Sequence, residues 1–350
     1  MKKVYFLPWN RRGEFDKFLR LKEFTSLFSS KDYVAIKIHF GEEGNKGFVE
    51  PEFVKKIVER IKRTGSFPFL TDSNTIYLGS RHDAYHHLKV AYEHGFSIEN
   101  LGVPVIIGDG LRGECEEIIE LNGTKYIKKA SIGKIIMHSD KIVFVSHFKG
   151  HECMGFGGAL KNIGMGCATR KGKYEMHAEI SPKINLEKCS RCRVCGRVCL
   201  EGAISYDKDG YPLIDSSKCS GCGMCIIACP QGAIKIPWDD NLVRTQEKMI
   251  EYCFAILKER KEEVCFFNFL KFITKYCDCY RTREKPLIED IGILFSLDPV
   301  AIDRASIDII NERYGKDFFK DIWPEIDWKL QLDYAEELGI GTQRYELVNL

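Results

Sequence analysis

Residues 33–71 read YVAIKIHFGEEGNKGFVEPEFVKKIVERIKRTGSFPFLT. The run Tyr33–His39 predicts a strand. Pro51 then opens a helix through Arg63, with Phe53, Val54, Ile57, Val58 and Ile61 on one face. Ser66–Thr71 predicts the next strand. Strand, helix and strand in that order form a βαβ unit, which implies a parallel sheet. Further on come a helix around Asp83–His94 and strands at Val103–Ile107 and Lys141–Ser146. After residue 240 a helix is expected near Arg244–Arg260, strands at Val264–Phe272 and Ile291–Ser296, and a helix from Pro299 to Asn311. The expected fold is α/β, a mostly parallel sheet flanked by helices.

A cysteine-rich segment interrupts this alternation. Cys189, Cys192, Cys195 and Cys199 are spaced C-x2-C-x2-C-x3-C, and Cys219, Cys222, Cys225 and Cys229 repeat the spacing, followed by Pro230. Glu201-Gly202-Ala203-Ile204 matches Gln231-Gly232-Ala233-Ile234, so the segment is an internal duplication. Leu200 stands where the first copy would carry its proline. This spacing holds paired [4Fe–4S] cubanes in bacterial ferredoxins, the fourth cysteine of each copy completing the other cluster. Cluster I would take Cys189, Cys192, Cys195 and Cys229. Cluster II would take Cys219, Cys222, Cys225 and Cys199. Structural zinc sites pair two C-x2-C knuckles and do not ask for the x3 ligand.

The chain therefore divides into 1–183, the first part of the α/β domain; 184–237, an inserted α+β ferredoxin-like module with two [4Fe–4S] clusters; and 238–350, which completes the α/β domain. The insert is too short to bury a good core, so the clusters are also its staple. It is expected to collapse when iron is removed. The first copy carries Arg191, Arg193 and Arg197, where the comparable stretch of the second has Gly221, Gly223, Met224, Ile226 and Ile227. Positive charge favours the reduced form, so cluster I is expected to have the higher potential. The arginines also suit docking of an acidic ferredoxin; the alternative is a solvated basic loop.

Ligands in open α/β sheets lie outside the carboxyl ends of the strands. His39 ends one expected strand and Asp72-Ser73-Asn74 the next. Asp109 follows the third, Ser146-His147 ends the fourth and Asp298 closes the last. Any one of them reads as a cap or turn residue; the set points to a crevice. His39, Asp72, His147, His151, Lys161 and Asp298 would line it, with Lys161 holding an anionic group and a histidine delivering a proton.

Residues 155–166 carry five glycines, which implies backbone passing close to a ligand, a cluster or another segment. The run is not a Walker A loop, and Leu160 occupies the third glycine position of a dinucleotide fingerprint. Cys277-Asp278-Cys279 points two sulfurs the same way if extended. With Cys153 or Cys167, and with His147, His151 or His177, it offers a third metal or cluster site, for which Cys167, Cys277 and Cys279 are the candidate ligands. Unconnected thiols are the alternative. Cys115, Cys253 and Cys265 read as core cysteines.

The composition is globular: 44% hydrophobic and 29% charged over 350 residues. A net charge of +2 gives no bulk electrostatic case for nucleic acid. No apolar run reaches membrane-spanning length, and the first residues do not form a signal-peptide core. So many cluster-spaced cysteines fit a reducing cytoplasm.

Ser146-His-Phe-Lys-Gly-His151, the run Gly155 through Cys167, Cys277-Asp-Cys279 and Asp298-Pro-Val-Ala-Ile-Asp303 together resemble the uncharacterised iron–sulfur centre proteins. These form the family of domain of unknown function 362, here in the form carrying a ferredoxin insert. The resemblance spans most of the chain and implies an α/β domain with a two-cluster module. It implies no reaction.

Three readings follow. As an enzyme, an oxidoreductase dependent on a ferredoxin-type donor, the protein would relay low-potential electrons through two clusters to a substrate or extra metal in the crevice. As a carrier or assembly subunit, it would dock a redox partner without chemistry of its own. As a binding protein it would use the clusters structurally, but a staple does not need two. The crowd of polar residues at strand ends favours the enzyme.

Overall fold

The computed structural model describes residues 1–77, 79–177, 182–199, 201–219, 223–235, 241–279 and 285–350. Cys222, Gly221 and Leu200 lie outside the described residues.

Seven strands form one sheet in the order Tyr345–Asn349, Lys2–Pro8, Gly292–Ser296, Val264–Leu270, Lys141–His147, Tyr33–Ile38, Phe67–Thr71. The last four run parallel to one another. Lys2–Pro8 and Tyr345–Asn349 are also parallel neighbours. Gly292–Ser296 runs antiparallel to both strands beside it. The sheet is thus mostly parallel and flanked by helices, as expected.

Side-chain alternation feeds two cores. Ala35, Phe144, Phe266 and Leu294 face one side, where the helices Ala159–Cys167, Leu242–Leu257, Pro299–Tyr314 and Lys329–Glu337 pack. Ile36, Val143, Val145, Phe267 and Phe295 face the other, against Asp16–Arg20, Lys22–Thr25 and Pro51–Lys62. Burial on both faces is why these strands read as nearly continuous apolar runs.

The helix Pro51–Lys62 has proline at its first position and buries the five residues its sequence periodicity selects. Asp83 caps the helix Ala84–Glu93 by accepting from the His86 N–H at 2.9 Å. Val103–Ile107 forms no strand. Only Val105 bridges, to Leu70, because Pro104 beside it has no N–H to donate to a ladder. The glycine-rich run is not a loop: its second half is the helix Ala159–Cys167.

The inserted segment closes on itself. Lys183–Ile184 pairs antiparallel with Ile234–Lys235, bringing its two ends together. The duplication is visible in the backbone. The Ala203 N–H donates to Cys199 Sγ at 3.3 Å, and the Ala233 N–H to Cys229 Sγ at 3.2 Å. Arg193 (φ +60°) and Gly223 (φ +69°) occupy equivalent left-handed positions. The segment's small core of Cys195, Cys225, Ile226 and Ile234 packs on Ile76 and Tyr174 of the α/β body.

Candidate functional site

Two cysteine-lined cavities lie in the inserted segment. One is lined by Cys189, Cys192, Cys195 and Cys229, with Arg191, Arg193 and Tyr206, and encloses ≈ 340 Å³, its open mouth included. The other is lined by Cys199, Cys219 and Cys225, with Gly223 and Met224, and encloses ≈ 360 Å³ on the same measure. Each cavity thus combines cysteines of one copy with the last cysteine of the other. No disulfide joins the described cysteines.

The cavities differ in surroundings. Cys192, at the first, is exposed. Backbone N–H groups and the Ser190 hydroxyl hold its thiol below the usual range. Arg191 and Arg193 lie over the rings of Tyr211 and Tyr206 at 5.2 and 5.0 Å, so both are partly engaged. The second cavity adjoins the α/β body. The Arg170 guanidinium donates to the Arg112 carbonyl at 3.2 Å and to the Met224 sulfur at 3.2 Å, tying the two parts together.

A dense polar cluster occupies the carboxyl edge of the parallel strands. Alternation puts Lys37 on the same face as Ala35, and there its ammonium meets Asp72 at 2.9 Å and Asn162 Oδ1 at 2.9 Å. Asp72 also faces Arg81 at 3.4 Å and His87 at 3.5 Å. Burial pushes its carboxyl up, but Lys37 and His87 outweigh this and hold it well below the usual range. Arg81 bridges further, to Glu42 at 3.2 Å and the Tyr77 hydroxyl at 2.8 Å. Asp109 takes the Asn74 N–H and side-chain amide at 3.0 and 2.9 Å. Burial raises its pKa to about 6 despite the nearby Lys173 and Arg170. Lys173 is driven down to about 8 by the same burial.

His147 spends both ring nitrogens, donating to Asp278 at 2.8 Å and to the Lys271 carbonyl at 2.7 Å. Lys149 completes the Asp278 site at 3.1 Å. The His151 Nδ1 accepts the Cys153 N–H at 3.1 Å. Burial and then Lys161 hold His151 well below the usual imidazole range and His177 at about 4, so both rings are neutral.

Cys277 and Cys279 lie in a turn, not an extended run, yet their sulfurs meet. The Cys277 thiol donates to Cys279 and is itself pushed well up, by that bond and by burial. The same bond holds Cys279 well below the usual thiol range; burial opposes it, and His39 and Lys161 reinforce it. His39 accepts the Gly41 N–H through Nδ1 at 3.0 Å, which leaves its Nε2–H for the Cys279 sulfur at 3.5 Å. Lys161 is raised: burial works against its charge, and Cys277, Cys279, Glu152 and Asp278 overcome it. Ligand atoms of His151, Glu152 and Cys277 all lie within 4.8 Å of one another.

The structure therefore brings together His39, Asp72, His147, His151, Lys161, Cys277 and Cys279. It does not bring Asp298 to them; Cys167 lies within electrostatic reach of Lys37 and Asp72. Asp298 follows the antiparallel strand Gly292–Ser296. Ser296 pairs with Phe266 and Val4, so Asp298 emerges at the opposite edge of the sheet. It caps the helix Pro299–Tyr314, accepting the N–H groups of Val300 and Ala301 at 3.0 and 2.9 Å. Asp303, from the same motif, takes the Ala159 and Leu160 N–H groups at 2.7 and 2.9 Å and so caps the glycine-run helix from a neighbouring one. Cys167 is buried in the apolar core, and burial raises its thiol to about 12.

Sequence reasoning passed over Lys37, Arg81, Lys149 and Asp278 as site residues. Lys37 had left a signal, a lysine inside a strand buried on both faces. Arg81 had none, because a loop places it.

No helix among the described residues is long and apolar enough to cross a membrane. Among curated proteins, none matches the sequence. The lactate racemase apoprotein from Thermoanaerobacterium thermosaccharolyticum is similar in structure over 88% of this chain and 57% of its own, at 10% identity and a TM-score of 0.47. A protein from Thermotoga maritima is similar over 87% of this chain and 59% of its own, at 10% identity and a TM-score of 0.43. The chain thus spans less than two thirds of the length of either. Residues 34–308, which hold the parallel strands, the polar cluster and the cysteine segment, match one family over most of the chain: it belongs to the family described as Domain of unknown function (DUF362).

Proposed function

We propose that the protein is an iron–sulfur redox protein, in which two [4Fe–4S] clusters relay low-potential electrons to a substrate or further metal in the polar crevice. The observation that carries this reading is the crossed lining of the two cavities. A cubane needs four thiolates around one compact body; the four cysteines of the first cavity fit that need, and the second offers three, with Cys222, its expected fourth, outside the described residues. Bound there, the clusters would supply one-electron transfer.

The chain's own residues give the reading a direction. Cys189, Cys192, Cys195 and Cys229 would hold the outer cluster, whose rim is exposed and basic. Cys199, Cys219, Cys222 and Cys225 would hold the inner one, beside Ile76, Tyr174 and Arg170. Arg191, Arg193 and Arg197 suit a protein donor, such as an acidic ferredoxin. Lys161 is the group that would meet an anionic substrate. A reducing cytoplasm is the compartment this chemistry requires.

The carrier reading leaves the buried charges of the crevice without a role, and buried charges are costly to keep. We therefore favour an oxidoreductase. Iron and acid-labile sulfide counts on anaerobically purified protein test the cluster reading. About eight of each per chain is expected; zinc in place of iron would overturn it.

A further inference from the structure

We infer that Arg170 sets the order of the two clusters: its buried guanidinium gives the inner cluster the higher potential, so that electrons run from the outer cluster inward to the crevice. The inference rests on the cluster reading above and adds to it the direction of flow and the residue that fixes it.

Arg170 reaches the second cavity directly. Gly223, Met224 and Cys225 line that cavity. The Arg170 guanidinium donates to the Met224 sulfur at 3.2 Å, and its Nη2 lies 3.3 Å from the position a Gly223 Cβ would take. It also donates to the Arg112 carbonyl at 3.2 Å. A thioether and a carbonyl are neutral acceptors, so these two bonds hold the guanidinium in place without neutralising it.

Burial decides which arginines weigh most. Arg170 is 2% exposed. Arg191, Arg193 and Arg197, in the other copy, are exposed. An effective dielectric of about 20 inside the protein, against about 80 in water, makes one buried charge worth roughly four exposed ones at the same distance, and salt screens the exposed ones further. This reverses the order expected from Arg191, Arg193 and Arg197 alone. Asp109 is the acid beside the Arg170 stem: its Oδ2 lies 3.0 Å from the position a Gly113 Cβ would take, and the Arg170 stem crowds the same position. Lys173 stands against that carboxyl in turn, so these three side chains carry two cations for one acid. Positive charge favours the reduced form, and the surplus here belongs to the inner cluster.

The same helix leads on to the crevice. Arg170 and Lys173 lie one turn apart on one face of the helix Arg170–His177. Lys173 donates to Ser73 Oγ at 2.7 Å, and the Ser73 N–H donates to Asp72 at 2.9 Å. One helical turn therefore joins the second cavity to the polar cluster, whereas Cys192 at the first cavity is exposed. Each transfer moves one electron: the outer cluster is oxidised, the inner is reduced, and no bond or proton changes. The protein donor proposed above refills the outer cluster.

The test uses the whole protein, purified anaerobically and counted for iron. Paramagnetic resonance during a redox titration reads the two midpoint potentials. Arg170→Gln should lower only the higher potential, its reduction equilibrium falling by roughly tenfold, about 59 mV for one electron. Arg170→Lys keeps the charge and should restore most of that loss. Arg193→Gln, an exposed change, should lower only the lower potential, and by less; it decides the order even where Arg170→Gln does not fold. With full iron in place, four results would each overturn the inference and leave the clusters standing: one shared potential in the wild type, unchanged potentials in Arg170→Gln, an equal fall in Arg170→Lys, or a shift of the higher potential in Arg193→Gln. Zinc in place of iron would overturn the cluster reading itself, and the inference with it.

Discussion

The His39 Nε2–H points at the Cys279 sulfur from 3.5 Å, and the Gly41 N–H fixes the ring in that tautomer. A hydrogen bond to a thiolate favours its ionised form. Replacing His39 by Ala removes the donor while Cys277 and Lys161 remain. The rate of Cys279 alkylation at pH 7 should fall by roughly tenfold, its pH profile moving to higher pH. An unchanged profile would mean that Cys277 and Lys161 set the thiolate without His39.

Asp109 gives the site a pH signature. Its pKa is about 6 in the folded protein against an ordinary 3.8, so between those values the folded state holds the extra proton. The raised pKa therefore contributes stability that is present below pH 3.8 and lost as pH rises through about 6. Asp109→Asn removes this dependence. Wild type should lose stability relative to the variant by on the order of 3 kcal/mol between pH 4 and pH 7. Parallel stability curves for the two proteins would refute the assignment.

Gly164 lies in the helix Ala159–Cys167, where a methyl group would strike the Met249 carbonyl of the helix Leu242–Leu257. In an exposed helix, Gly to Ala gains up to about 1 kcal/mol. Here Gly164→Ala should instead destabilise by about 1–3 kcal/mol, because backbone cannot yield as a side chain does. Chemical denaturation reads the sign directly.

Arg193 occupies a left-handed position that Gly223 fills in the second copy. An L-residue there costs roughly 1–2 kcal/mol, most of which glycine relieves and part of which it returns as chain entropy. Arg193→Gly should leave stability level or slightly higher and lower the potential of the outer cluster, since a positive charge at its cavity is removed. A redox titration with no shift would mean that the arginine serves docking alone.

Much of this arrangement was legible in the sequence, for reasons that differ by residue. Tyr33–Ile38 and the helix after Pro51 declare themselves because burial on one or both faces leaves a hydrophobic period. The duplication at Cys189–Cys229 declares itself because both copies keep the same cysteine spacing and the same Gly-Ala-Ile run after it. Asp298 misled because a strand's direction is not written in its residues: Gly292–Ser296 reads the same either way, and only its pairing reveals that it points away. Arg81 and Asp278 were hidden because a loop brings them in from a distance, with no period to betray it.

The most direct test of the central claim is low-temperature electron paramagnetic resonance on anaerobic protein reduced with dithionite. We predict a signal integrating to about two spins per chain from two reduced cubanes, falling to about one when Cys229 or Cys199 is replaced by serine. A silent spectrum from fully reduced, folded protein would contradict the account.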